Sequence, residues 1–221
     1  MSNAVLSSST QPRSPVVPAR KTVVTVVLAV WLALVSLLGA GGAFASPPGT
    51  PPLPILIGFA APIIAFFAGF RLSRPFREFV LSTDLRLAMG IQAWRFAGLA
   101  FLDLYMYGVL PGIFAWPAGL GDIAVGVTAP WILVALIRQP GFAASKAFVV
   151  WNVLGVLDLV VALGTGALGV VLATAGEAST GPMAQLPLVL VPAYLVPIFM
   201  MLHATALIQA RRLSTTLSEQ A

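Results

Sequence analysis

Of the 221 residues, 59% are apolar and only 9% are charged, well below the roughly 25% charge of soluble domains, so the chain reads as an integral membrane protein. The absence of cysteine excludes disulfides, thiolate nucleophiles, iron–sulfur clusters and cysteine-held zinc, and a single histidine excludes bis-histidine haem ligation. A formal charge of +5 could suit nucleic acid, but the basic residues lie between apolar stretches and not on one soluble face, which points to membrane topology and against a nucleic-acid partner.

Residues 1–19 are rich in Ser, Pro and small polar types with no apolar period, and are expected to form a disordered cytoplasmic tail. After Arg20 and Lys21, an uncharged apolar run over 22–44 is long enough to cross a bilayer, and the proline-rich stretch 46–54 ends it. The same basic residues and apolar run, with Ala43-Phe44-Ala45 before Ser46, also resemble a cleavable signal peptide over 1–45. The run is longer than the usual signal core, so a retained first span is the preferred reading. Further spans are expected over 53–70, 88–110, 117–137, 147–170 and 186–209. The fold class is therefore all-α: a polytopic bundle of six transmembrane helices over 20–210, with a second cytoplasmic tail over 211–221.

Between the second and third spans, Leu72, Phe76, Phe79, Val80, Thr83 and Leu87 recur at helical spacing, with arginines elsewhere. This predicts an interfacial helix over about 72–87, with Pro75 in its first turn and its arginines near anionic lipid of the cytoplasmic face. Arg13, Arg20 and Lys21 precede the first span, and Arg71, Arg74, Arg77 and Arg86 follow the second. Arg138 and Lys146 follow the fourth, and Arg211 and Arg212 follow the last. All of these fall on one side, which by the positive-inside bias places both termini in the cytoplasm. Frequent alanine and valine, with arginine favoured over lysine, suggest a GC-rich bacterial genome and hence the inner (plasma) membrane. Small residues at Ala61, Ala65 and Gly69, and at Gly108 and Gly112, allow close helix approach, either within the chain or in a homo-oligomer or larger membrane complex. The segment 111–121, with Trp116 at the interface, is read as a tight outer turn, the alternative being a stretch that dips back into the bilayer.

The remaining polar residues lie within the spans, where each charge costs about 2.5 to 3.5 kcal/mol at the centre on insertion scales and needs a partner. Depth along the spans sorts them into an inner layer, Gln92, Arg95, Asn152 and His203, and an outer-to-middle layer, Asp103, Asp122 and Asp158. At α-helical spacing Gln92, Asp103 and Tyr107 share a face with Arg95 a turn from Gln92, and Trp151, Gly155 and Asp158 share another with Asn152 at its edge. These faces predict a polar seam between the third, fourth, fifth and sixth spans. Arg95 would neutralise carboxylates or bind an anion. With one guanidinium against three carboxyls, at least one aspartate is expected to carry a proton. Protonatable carboxyls beside a histidine are the parts of proton relays and proton-coupled carriers.

Gly119-Leu120-Gly121-Asp122 opens the fourth span and Asp103 sits late in the third. This arrangement resembles the GxGD intramembrane aspartyl proteases, and the resemblance implies Asp103 and Asp122 as a carboxyl pair that shares a proton and activates water. It covers four contiguous residues and one further aspartate; Leu102 stands where the family has Tyr, and Pro192-Ala193-Tyr194 matches the family's Pro-Ala-Leu element in part. No phosphate-binding glycine loop or His-Glu-x-x-His helix is present, and the three aspartates lie at unequal depths, so no metal and no cofactor is expected. Three functional readings follow: passage or binding of a small solute or ion, coupled to protons, through the seam; a structural or accessory membrane subunit; and the protease.

Overall fold

The computed structural model describes residues 16–219, apart from 48, 140 and 175, and contains no strand among the described residues. The tail expected over 1–19 therefore lies outside the described residues as far as residue 15, as do residues 220 and 221. Helix α1, Val16–Ala40, begins within that stretch, and its last turn leads through Gly42, whose φ of +71° suits a residue without a Cβ. Prolines at 51, 52 and 54 start α2, Leu53–Leu72, where missing amide donors are tolerated.

Ser73 ends α2 in extended backbone and caps α3, Arg74–Leu81, by accepting from the Phe76 amide at 3.4 Å. Phe76 packs edge-on against Phe66 and over Gly69, and Val80 is buried, so the apolar face of α3 turns onto the bundle. Arg77 donates to the Phe70 and Arg71 carbonyls at 3.1 and 2.9 Å, closing the end of α2, and Gln209 does the same for Val80 and Thr83 at 2.9 and 3.0 Å. The amphipathic stretch expected as one helix over 72–87 is thus two: α3 stops at Leu81, and Asp84 starts α4, Leu85–Ile91, by accepting from the Arg86 amide.

The chain continues without a break through a 3₁₀ helix, Gln92–Gly98, into α5, Leu99–Met106. A turn through Gly108 (φ +70°) leads to α6, Gly112–Arg138, which starts at Pro111 and carries Pro117 inside it. Of the segment 111–121, Pro111 is the extended residue before the helix and 112–121 is regular helix, neither turn nor re-entrant loop. Ser145 caps α7, Lys146–Val171, through the Phe148 amide at 3.2 Å. The last crossing begins at Val191, later than the expected 186, with a π-helical turn, Val191–Leu195, before α8, Val196–Glu219, which runs on through the expected tail at 211. Pro197 has no amide to offer, and the Val196 amide reaches back five residues to the Val191 carbonyl, widening the turn.

Five of these helices are long and apolar enough to cross a bilayer: 22–40, 53–72, 112–138, 146–171 and 191–215. The chain is an all-helical, multi-pass membrane protein. Helix α6 lies along the α4–3₁₀–α5 run on one side and α7 on the other; α8 packs on α7 and returns to α4, closing a ring of four, with α2 outside α8. Helix α1 stands at the edge, held to the π-turn by Tyr194, which donates to the Leu28 carbonyl at 3.2 Å and meets the Trp31 ring edge-on. One apolar cluster, around Met89, Leu136 and Phe148, fills the end of the ring where α6 and α8 finish, and a second, around Phe101, Leu110 and Phe114, fills the opposite end. The polar residues lie between them.

Candidate functional site

In a 3₁₀ helix residues three apart eclipse one another, so Gln92, Arg95 and Gly98 stand in one row. All three are buried, and Met89 and Phe101 extend the row in both directions, while Trp94 is 77% exposed and Phe96 52%. The tighter winding also explains where Asp103 goes. Six 3₁₀ steps of about 120° and five α steps of about 100° carry it roughly 140° from Gln92, where an unbroken α-helix would align the two. Asp103 is exposed and its side chain forms no hydrogen bond or ion pair among the described residues; Tyr107 is 82% exposed.

Arg95 is enclosed by the ring. Its Nε donates to Asp122 Oδ1 of α6 at 2.7 Å, its Nη2 to Asp158 Oδ2 of α7, and its Nη1 to the Gly155 carbonyl at 3.3 Å and to His203 Nε2 of α8 at 3.2 Å. The Phe199 ring lies 6.0 Å from the guanidinium carbon, at the limit of a cation–π contact. Arginine only donates, so His203 Nε2 must accept, and the ring proton sits on Nδ1, which donates to Asn152 Oδ1 at 2.9 Å. Asn152 in turn donates to the Phe148 carbonyl at 2.9 Å. Gln92 donates to the Phe199 carbonyl at 3.2 Å, and its Oε1 is buried without a partner.

The helices can approach this closely because glycines face the polar side chains. A Cβ on Gly98 would collide with Asp122, one on Gly121 with Asp158, one on Gly155 with His203, and one on Gly126 with the backbone of Arg95 and Phe96. The second glycine of the Gly119-Leu120-Gly121-Asp122 motif therefore makes room for an aspartate of the next helix. Gly98, Gly126 and Phe199 are the components that reasoning on polar residues missed, and for Gly121 and Gly155 it missed the role of making room; their signal was glycine close to each intramembrane charge in sequence.

The structure thus brings together Arg95, Asp122, Asp158, Asn152 and His203, with Gln92 one turn away, and leaves Asp103 out. The Arg95 side chain is 0% exposed, whereas those of Asp122 and Asp158 are 16% and 13% exposed. No face of the guanidinium is open to an anion; the carboxylates are the accessible members. Among the described residues no group of three or more metal-binding side chains converges. Asp122 opens onto a cavity of about 270 Å³ between α2, α6 and α7, on the side where α1 and α7 end, walled by Phe44, Phe101, Phe114, Leu159 and Met183 among others.

Neither the curated proteins nor the solved structures include a match to this chain. The family described as a domain of unknown function, DUF8737, matches residues 52–211, from the start of α2 through most of α8, and the chain belongs to that family.

Proposed function

We propose that this chain crosses the bacterial inner membrane six times with both termini in the cytoplasm, and that it binds a small solute or ion, with proton exchange, at the Arg95–Asp122–Asp158 cluster. The sixth crossing is the run 85–106, whose α, 3₁₀ and α parts add up to about 36 Å against a hydrocarbon layer of about 30 Å. Helix α3, with Arg74 and Arg77 exposed, then lies at the cytoplasmic interface beside anionic lipid.

The observation that carries the reading is one guanidinium held between two carboxylates in the middle of the bundle. With both carboxyls ionised the cluster is one positive charge short, and uncompensated charge in lipid is costly, so a proton or a cationic group completes it. The partly exposed Asp122 and Asp158 are the groups that would take it up. The test is proton uptake in proteoliposomes under an imposed potential: wild type is expected to acidify the lumen, and Asp122→Asn and Asp158→Asn to abolish this. Equal uptake by all three proteins would rule the reading out.

A structural or accessory role is favoured by one observation, the near-complete mutual satisfaction of the cluster, in which Gln92 Oε1 is the one buried side-chain atom without a partner among the described residues. That reading expects the two substitutions to lower stability and leave proton flux untouched. The protease reading finds no pair to work with, since Asp122 is bound to Arg95 and Asp103 has no bond to it.

A further inference from the structure

The cavity above Asp122 narrows the class of ligand. Asp122 is the one ionisable residue among its described lining residues; the other polar side chains on the wall are Ser46, Thr180 and Gln185, and the rest is hydrocarbon or aromatic. Thr180 already donates to the Gly166 carbonyl at 2.6 Å. A hard metal cation needs about six oxygen ligands, more than this wall presents around Asp122. An anion would meet a carboxylate, with Arg95 sealed behind it at 0% exposure. A neutral solute would leave the cluster's charge uneven. An organic cation suits every term: its charge completes the Arg95–Asp122–Asp158 set, its apolar body replaces water along the wall, and Phe44, Phe101 and Phe114 offer rings to a cationic centre.

We infer that the cavity binds a lipophilic organic monocation, with its cationic centre at Asp122 and its body between α2, α6 and α7. This rests on the reading of the cluster as a binding site. A volume of about 270 Å³ lies at the lower edge of small-molecule pockets and holds about a dozen non-hydrogen atoms. The lining from Phe44 to Ser46, Pro52 and Ile55 at the start of α2, and Thr180 to Gln185 lie where α1 and α7 end, opposite the arginine-rich ends. The ligand therefore enters from that side, the outer one in the proposed topology.

The probe is benzyltrimethylammonium, titrated calorimetrically into the full chain in lipid nanodiscs, with benzenesulfonate as the anion of similar size. Saturable binding of one cation per chain is expected, and none of the anion. Asp122→Asn should weaken the cation by at least about thirtyfold, as loss of a buried charge partner does. Because Asp122 also holds Arg95, Gly166→Leu is the second variant. A Cβ there meets only the Phe114 ring, at 3.5 Å, so the leucine fills the cavity and leaves the ion pairs intact. It should weaken the cation by at least about tenfold with the melting temperature unchanged. Absence of saturable cation binding, equal binding of benzenesulfonate, or unchanged cation affinity in both variants overturns the inference. If proton uptake still depends on Asp158 while the cation fails to bind, the ligand class is wrong and the cluster reading stands; if both are absent, both fall.

Discussion

The place that a Cβ on Gly121 would occupy is already filled by the carboxylate of Asp158 on the neighbouring helix. The same relationship joins Gly98 to Asp122 and Gly155 to His203, so each polar group that surrounds Arg95 is seated on a glycine of an adjacent segment. Without those three gaps the helices would stand apart and the arginine could not reach both acids.

Gly121→Ala is accordingly expected to push Asp158 off Arg95 and to destabilise the protein by about 1–3 kcal/mol, as overpacking does. Gly164 of α7 has open space where its Cβ would be, and Gly164→Ala should stabilise the protein by about 0.5–1 kcal/mol, the gain of Ala over Gly in a helix interior. Thermal unfolding in detergent compares the two. Equal melting temperatures would show that Asp158 does not depend on that gap.

Removing the guanidinium leaves two carboxylates facing one another in a low dielectric. Arg95→Met should cost about 3–5 kcal/mol, and adding Asp122→Asn and Asp158→Asn to it should restore most of that loss, since neutral groups need no counter-charge. Arg95→Lys is expected to fall between, because a single ammonium cannot span Asp122, Asp158, Gly155 and His203 as the planar fork does. A triple variant no more stable than Arg95→Met would mean that charge balance is not what the arginine supplies.

The tautomer of His203 follows from its two neighbours. In ¹⁵N-histidine spectra of the protein at neutral pH, Nδ1 should appear as the protonated nitrogen and Nε2 as the bare one. Asn152→Ala, which removes only the acceptor at 2.9 Å, should keep that form because Arg95 still donates to Nε2, while Arg95→Met should let the ring exchange between forms. A protonated Nε2 in the wild type would be incompatible with the arginine contact.

Much of the fold is legible in the sequence because apolar runs near twenty residues and clustered arginines are strong, local signals. The position of Asp103 is not, because it depends on winding. Nothing in Gln92-Ala93-Trp94-Arg95-Phe96-Ala97-Gly98 breaks an α-helix, and the tightening to 3₁₀ occurs where Gly126 brings α6 against the backbone of Arg95 and Phe96. Read at α-helical spacing, the sequence puts Asp103 in line with Gln92; read at the observed winding, it puts Asp103 on the outside. The start of the last crossing was hidden for a related reason, since the π-turn at Val191 arises from the spacing of Pro192 and Pro197 within one apolar run. Charge type, by contrast, is local, and Arg95, Asp122, Asp158, Asn152 and His203 could each be singled out from the chain as residues in need of partners.

Whether the run 85–106 crosses the membrane decides the topology, because its three short helical pieces are individually below the length of a span. The chain contains no cysteine, so single replacements report cleanly. Arg86 lies in the first turn of the run and Tyr107 just past its end, and both are exposed, the latter 82%. In whole cells a membrane-impermeant maleimide is expected to label Tyr107→Cys directly and Arg86→Cys only after permeabilisation. Glu177→Cys serves as the outer reference and Gln139→Cys as the inner one, both at exposed loop positions. If 86 and 107 react from the same side, the run does not cross. The arginines after α2 and those after α6 would then lie on opposite faces, against the positive-inside bias.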